Sequence, residues 1–113
     1  MDKNVKIQVF VPKSHLNIIR LALGEVGIGK IGCYDYCSFV SAGKGYFRPL
    51  NGSNPSVGTI GKIEEVEEIK LEFVCPESEI EKVIEIIKKN HPYEEIALDI
   101  FPLIGTFSIK NPK

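Results

Sequence analysis

The sequence predicts an α+β domain of the ferredoxin-like βαββαβ type, a two-layer sandwich with two helices on one face of a single sheet. Three observations carry that expectation. Val5, Ile7, Val9 and Val11 alternate with Lys6, Gln8 and Phe10, and Ile69, Leu71 and Phe73 alternate with Glu68, Lys70 and Glu72, the period of two of half-buried strands. After each strand a proline and a serine precede apolar residues at helical spacing. The resulting order, βα then ββ then αβ, is what a split βαβ sheet requires.

The first strand spans residues 3–11 and ends at Pro12. Ser14 is placed to cap a helix with the stripe Leu16, Ile18, Ile19, Ala22 and Leu23, and Gly24 and Gly27 mark its end. Residues 33–40, rich in aromatic and β-forming types, are expected to form a strand, with 41–45 (Ser-Ala-Gly-Lys-Gly) as the turn of a hairpin into Tyr46-Phe47-Arg48. Residues 50–58 are loop by composition. After a short extended piece over 59–66 comes the strand around Ile69, Leu71 and Phe73. Pro76 and a Ser78–Glu81 capping box open a second helix with the stripe Ile80, Val83, Ile84 and Ile87, for which Asn90 is the expected left-handed cap. Residues 96–103 form the last strand.

At 113 residues one core is expected, spanning about residues 3–104, with 105–113 as a tail. A net charge of −1 supplies no long-range field for nucleic acid or acidic lipid, and no run approaches the ~20 apolar residues of a membrane span. Residues 1–8 lack the pattern of a signal peptide, and three cysteines fit reduced thiols, so the expected location is the cytoplasm.

Several motifs carry candidate chemistry. Gly27-Ile28-Gly29-Lys30-Ile31-Gly32 matches the dinucleotide pattern G-x-G-x-x-G, but a helix precedes it and a strand follows, the reverse of what that site needs. A turn with positive-φ glycines is the simpler reading, and an anion-binding nest the alternative. Cys33 and Cys37, four apart on an expected strand, stand roughly 13 Å from each other, too far to share a metal, and read as small buried thiols. The run His91-Pro92-Tyr93-Glu94-Glu95 is the most informative. Pro92 biases His91 to extended backbone just past a helix C-terminus, which favours a charged imidazole. Tyr93 and Glu95 are expected on one side and Glu94 on the other. His91 with Glu94 is half of a divalent-metal site that a second subunit would have to complete, or His91 and its neighbours bind a ligand's polar groups. The structural alternative is a helix cap that ties the turn down. Arg48, one of two arginines, follows Phe47 and has the planar fork suited to carboxylate or phosphate.

Gly29 to Tyr34, Cys37-Ser38-Phe39, Gly45-Tyr46-Phe47-Arg48-Pro49, Asn54-Pro55, Gly61 to Glu67 and His91 to Asp99 together resemble the domain inserted in NGG-interacting-factor (Nif-like, YqfO) proteins. The resemblance covers about residues 5–103, and this chain looks like a stand-alone version. It implies a CutA/PII-like fold that assembles as a trimer, which would cover the semi-polar sheet face bearing Phe10, Lys70, Glu72, Asp99 and Phe101. It also implies a non-enzymatic sensing or binding module, with ligand held in subunit clefts by Tyr34, Phe47, Arg48, Asn54, His91, Tyr93 and Glu95. A metal-binding protein using intersubunit His91 and Glu94, and an assembly module with a protein partner, remain the alternatives. The family's core domain has a dinuclear metal centre built from several histidines and carboxylates, and a GTP cyclohydrolase activity is ascribed to it. Two histidines cannot rebuild that centre, and no nucleophile–base pair at recognisable spacing replaces it. The chain departs from the family's pattern at Cys33, where Asn is common, and at Ile96, where Pro is frequent.

Overall fold

A computed structural model describes residues 3–112. Six elements follow in order: β1 (Asn4–Val11), α1 (Leu16–Glu25), β2 (Phe39–Phe47), β3 (Glu64–Pro76), α2 (Ile80–Asn90) and β4 (Leu98–Pro102). The strands form one antiparallel sheet in the order β2-β3-β1-β4, the ferredoxin-like arrangement. Met1, Asp2 and Lys113, ends of the expected 1–113 domain, lie outside the described residues.

The alternation of β1 sets the layers. Val5, Ile7, Val9 and Val11 are all buried and pair with Cys75, Phe73, Leu71 and Ile69 of β3. Ile19 and Leu23 from α1 and Val83 and Ile87 from α2 close over them. The opposite face carries Lys6, Gln8 and Phe10 opposite Val74, Glu72 and Lys70, with Phe39, Asp99 and Phe101 on the flanking strands. No element covers it among the described residues, and Phe39 is 68% and Phe101 44% exposed.

Both helices begin by one device. Pro12 and Pro76 stand at the strand ends with φ near −65°, and the 3-10 turns Lys13–His15 and Glu77–Glu79 lead into α1 and α2. The turns satisfy the first helical donors through the backbone, as His15 N–H does on Pro12 O at 3.0 Å. The N-cap residues His15 and Glu79 make no side-chain cap hydrogen bond, and Ser14 Oγ, expected to cap α1, pairs instead with His15 Nδ1 at 2.8 Å.

The end of α1 is a Schellman closure. Ile28 N–H bonds Leu23 O at 3.1 Å and Gly27 N–H bonds Gly24 O at 3.0 Å, with Gly27 at φ +86° and the side chains of Ile28 and Leu23 buried. The G-x-G-x-x-G match is therefore a helix terminus. α2 ends differently from the expectation: Asn90 stays helical and donates its side-chain amide to Ile86 O at 2.8 Å, and His91 takes the extended C-cap position.

The expected hairpin turn at 41–45 is strand interior. β2 pairs continuously with β3 from Phe39↔Glu72 to Phe47↔Glu64, and the chain reverses through the longer segment 48–63. Pairing with the long alternating strand β3 overrides the local turn preference, and Gly45 has a packing reason instead. A Cβ there would stand 1.7 Å from Glu68 Oε1, so glycine lets that carboxylate lie across the open face. Residues 33–37 are loop, with Tyr36 at φ +55°. Cys33 is accordingly exposed and Cys37 half-buried, and Cys75 is the buried thiol. No helix among the described residues is long and apolar enough to cross a membrane.

Ile7 is fully buried at the centre of this core. Ile7→Ala is expected to lower unfolding free energy by about 2–5 kcal/mol, read as a lower urea midpoint at unchanged slope.

Candidate functional site

The sequence-distant segments 46–57 and 93–97 meet at the end of the open sheet face and enclose an open cavity of about 680 Å³. Phe10 of β1 and Glu68 of β3 contribute to its lining. Its position follows from the sheet. β3 outruns β1, so beyond Val11↔Ile69 the sheet has only two strands, and the reversal 48–63 at their tip lies beside the chain leaving α2.

His91 seats the second wall. It is only 8% exposed and uses both ring nitrogens. A carbonyl only accepts, so Nε2 carries the proton donated to Phe10 O at 2.8 Å; a backbone N–H only donates, so Nδ1 is the bare nitrogen that accepts from Tyr93 N–H at 3.2 Å. The Tyr93 ring stands edge-on to the imidazole, with centroids 4.8 Å apart. His91 N–H closes α2 on Ile87 O at 2.9 Å, so one residue ties helix, central strand and turn together.

The charged imidazole expected from the helix terminus is not what this environment favours. Burial holds the His91 pKa below its ordinary value, and the Phe10 hydrogen bond, which pulls it upward, is the smaller effect, as are repulsion from His15 and attraction to Glu68. The Tyr93 hydroxyl is pushed above its usual range, by burial first and then by Glu68.

The facing wall is ordered by its own backbone. Ser53 N–H bonds Leu50 O at 3.1 Å, reinforced by Ser53 Oγ on the same carbonyl at 2.7 Å, and Gly61 N–H bonds Pro49 O at 2.8 Å. Asn54 N–H donates to Glu94 Oε2, a direct link between the walls.

Of the residues singled out from sequence, Phe47, Arg48, Tyr93, Glu94 and Glu95 line the cavity. Tyr93, Glu94 and Glu95 do so together, because the chain bends at 94–95 in place of the expected alternation, and the last strand, expected over 96–103, is Leu98–Pro102. Asn54 acts through its backbone, and His91 stands behind the wall. Tyr34, 76% exposed in the loop after α1, is not among the lining residues. Phe10, Tyr46 and Glu68 line the cavity without having been singled out as ligands; the signal for Glu68 was its place in the β3 alternation opposite strand glycines.

Among the described residues no group of three or more His, Cys, Asp and Glu side chains is placed to hold a metal ion. His91 has no free nitrogen, and one Glu94 oxygen is taken by Asn54, so these two do not fit the expected half-site for a divalent cation in this arrangement.

The sheet order and the two helices on one face are shared with solved structures. The periplasmic divalent cation tolerance protein CutA from Archaeoglobus fulgidus superposes with a TM-score of 0.71 at 17% identity, covering 92% of this chain and 87% of that one. The chain has the CutA fold. In sequence it is similar to part of a larger protein: it is 47% identical over 105 residues to the Bacillus subtilis GTP cyclohydrolase 1 type 2 homolog, covering 93% of this chain and 28% of that relative. A Bacillus cereus protein related to NIF3 matches with a TM-score of 0.81 at 41% identity over 92% of this chain and 26% of that one. The chain thus spans little more than a quarter of the length of the curated relatives it matches first. No protein-family model matches it.

Because the folded-state pKa of His91 is lowered, its neutral form contributes stability that is full above the unfolded value of about 6.5. That contribution is lost as pH falls through the lowered folded value. The urea midpoint is expected to drop between pH 7.5 and 5.5 by more in the wild type than in His91→Gln, and an NMR titration of His91 to read a pKa below 6.5.

Proposed function

We propose that the chain is a non-enzymatic, oligomeric binding module that holds a small molecule in the cavity between segments 46–57 and 93–97. The observation that carries this reading is the cavity itself. Its volume of about 680 Å³ is in the range of small-molecule sites, and apolar and aromatic groups from Phe10, Phe47 and Tyr93 share its lining with a few charged side chains. One wall is fixed by a buried histidine with both nitrogens satisfied, as a preformed site requires. The other is held by backbone hydrogen bonds.

The open sheet face supports the oligomeric part. Phe39, Phe10 and Phe101 lie among Lys70, Glu72 and Asp99, a mixture suited to an interface between copies. The cavity opens at the edge of this face, so copies packed on it would stand beside the ligand and shelter it. A trimer is the state that the family resemblance implies. The relatives whose name carries a catalytic activity are more than three times as long as this chain, so that activity is not carried over to it.

Size-exclusion chromatography with light scattering is expected to give a trimer at micromolar concentration, and Phe39→Glu, changing an exposed ring on the open face, to shift it toward monomer. A wild-type monomer would contradict the assembly. A wild-type trimer unmoved by Phe39→Glu would place the interface elsewhere.

A further inference from the structure

The charge and hydrogen-bond state of the cavity restrict what it can take. Three carboxylates, from Glu68, Glu94 and Glu95, line it against one guanidinium, from Arg48, and no lysine is among the lining residues. The net balance, three negative charges less one positive, is two negative. Several backbone donors of the loop are already used: Asn54 N–H is on Glu94, and Ser53 N–H, Gly61 N–H and Lys62 N–H are on carbonyls of their own loop. Those four amides are not free to form an anion nest. Four rings, of Phe10, Tyr46, Phe47 and Tyr93, share the remaining lining with small apolar and polar groups, and ring faces attract cations as carboxylates do.

Glu68 is the deciding side chain. It projects from the middle of β3 onto the open face and lies across β2 where Gly45 leaves room for it. It is half-buried and lines the cavity together with Tyr93 of the turn wall. A bare divalent ion does not suit the same surface, since among the described residues no three acidic, thiol or imidazole ligands converge.

From this lining we propose that the cavity recognises a small organic cation, an ammonium, amidinium or guanidinium group on an apolar body, with Glu68 and Glu95 facing the charge and Phe10, Phe47 and Tyr93 packing the body. The inference rests on the binding-module reading and names its ligand class.

The test uses three probes of one shape and different charge, benzamidine, benzamide and benzoate, titrated into the full chain at low ionic strength and followed by amide chemical shifts. Benzamidine is expected to move resonances of residues 46–57 and 93–97, with an affinity at least about fivefold above that of benzoate. Glu68→Gln and Glu95→Gln, which keep side-chain shape, are each expected to weaken benzamidine about two- to fivefold and leave benzamide unchanged. Benzoate binding in the cavity as well as or better than benzamidine overturns the cation inference and leaves the binding-module reading standing, with Arg48 as its anchor. Benzamidine binding equally to wild type and both variants also overturns it. Shifts at none of these residues with any probe overturn both.

Discussion

The structure around the cavity depends on one buried imidazole. His91 donates from Nε2 to Phe10 O in the central strand and accepts at Nδ1 from Tyr93 N–H. With that pair of bonds made, the chain leaving α2 must turn toward the open face, where Glu94 meets the backbone of Asn54. Without it, Phe10 O and Tyr93 N–H would lose their partner, leaving Phe10 N–H on Ala97 O at 3.2 Å to tie the end of this turn to β1. The same two bonds fix the tautomer and leave no lone pair for a metal. A residue that attracts attention as a ligand is thus the seat on which the cavity wall rests.

A division of labour follows between the two faces of the sheet. The helix-side face is a dry aliphatic core, and its cohesion is hydrophobic. The open face mixes rings with charges, and the longer strands β2 and β3 carry it past β1 as a two-stranded arm. The cavity lies where arm, reversal and turn converge, so it draws rigidity from the core and chemistry from the open face. Exposed ion pairs such as Lys44–Glu65 at 3.9 Å add little to either.

What the sequence showed of this follows from where local signals were unopposed. The alternation of β1 and β3 and the stripes of α1 and α2 set which side chains meet in the core, because period and burial agree there. Residues 41–45 misled: their turn chemistry is real, yet pairing with β3 overrides it, and Gly45 serves a close approach by Glu68 that no single-strand pattern contains. Residues 33–37 misled in the other direction, since aromatic, β-forming residues there build a loop. At the site, the sequence singled out Phe47, Arg48, Tyr93, Glu94 and Glu95 but not their neighbours Phe10 and Glu68, which reach the cavity only through strand register. The state of His91 was illegible for the same reason. Its partner Phe10 O is 81 residues away in sequence.

The similarity to part of the longer GTP cyclohydrolase 1 type 2 homologs and the CutA fold bear on architecture, and the site must be argued from its own atoms. His91 seats one wall of the cavity and, through the turn it holds, brings Glu94 to the Asn54 backbone of the other. Amide hydrogen exchange at Tyr93 and Asn54, compared between wild type and His91→Ala, tests it most directly. Both amides are expected to lose protection together in the variant while the β1–β3 amides stay protected. Loss at Tyr93 with Asn54 unchanged would contradict it, showing that the two walls are held independently.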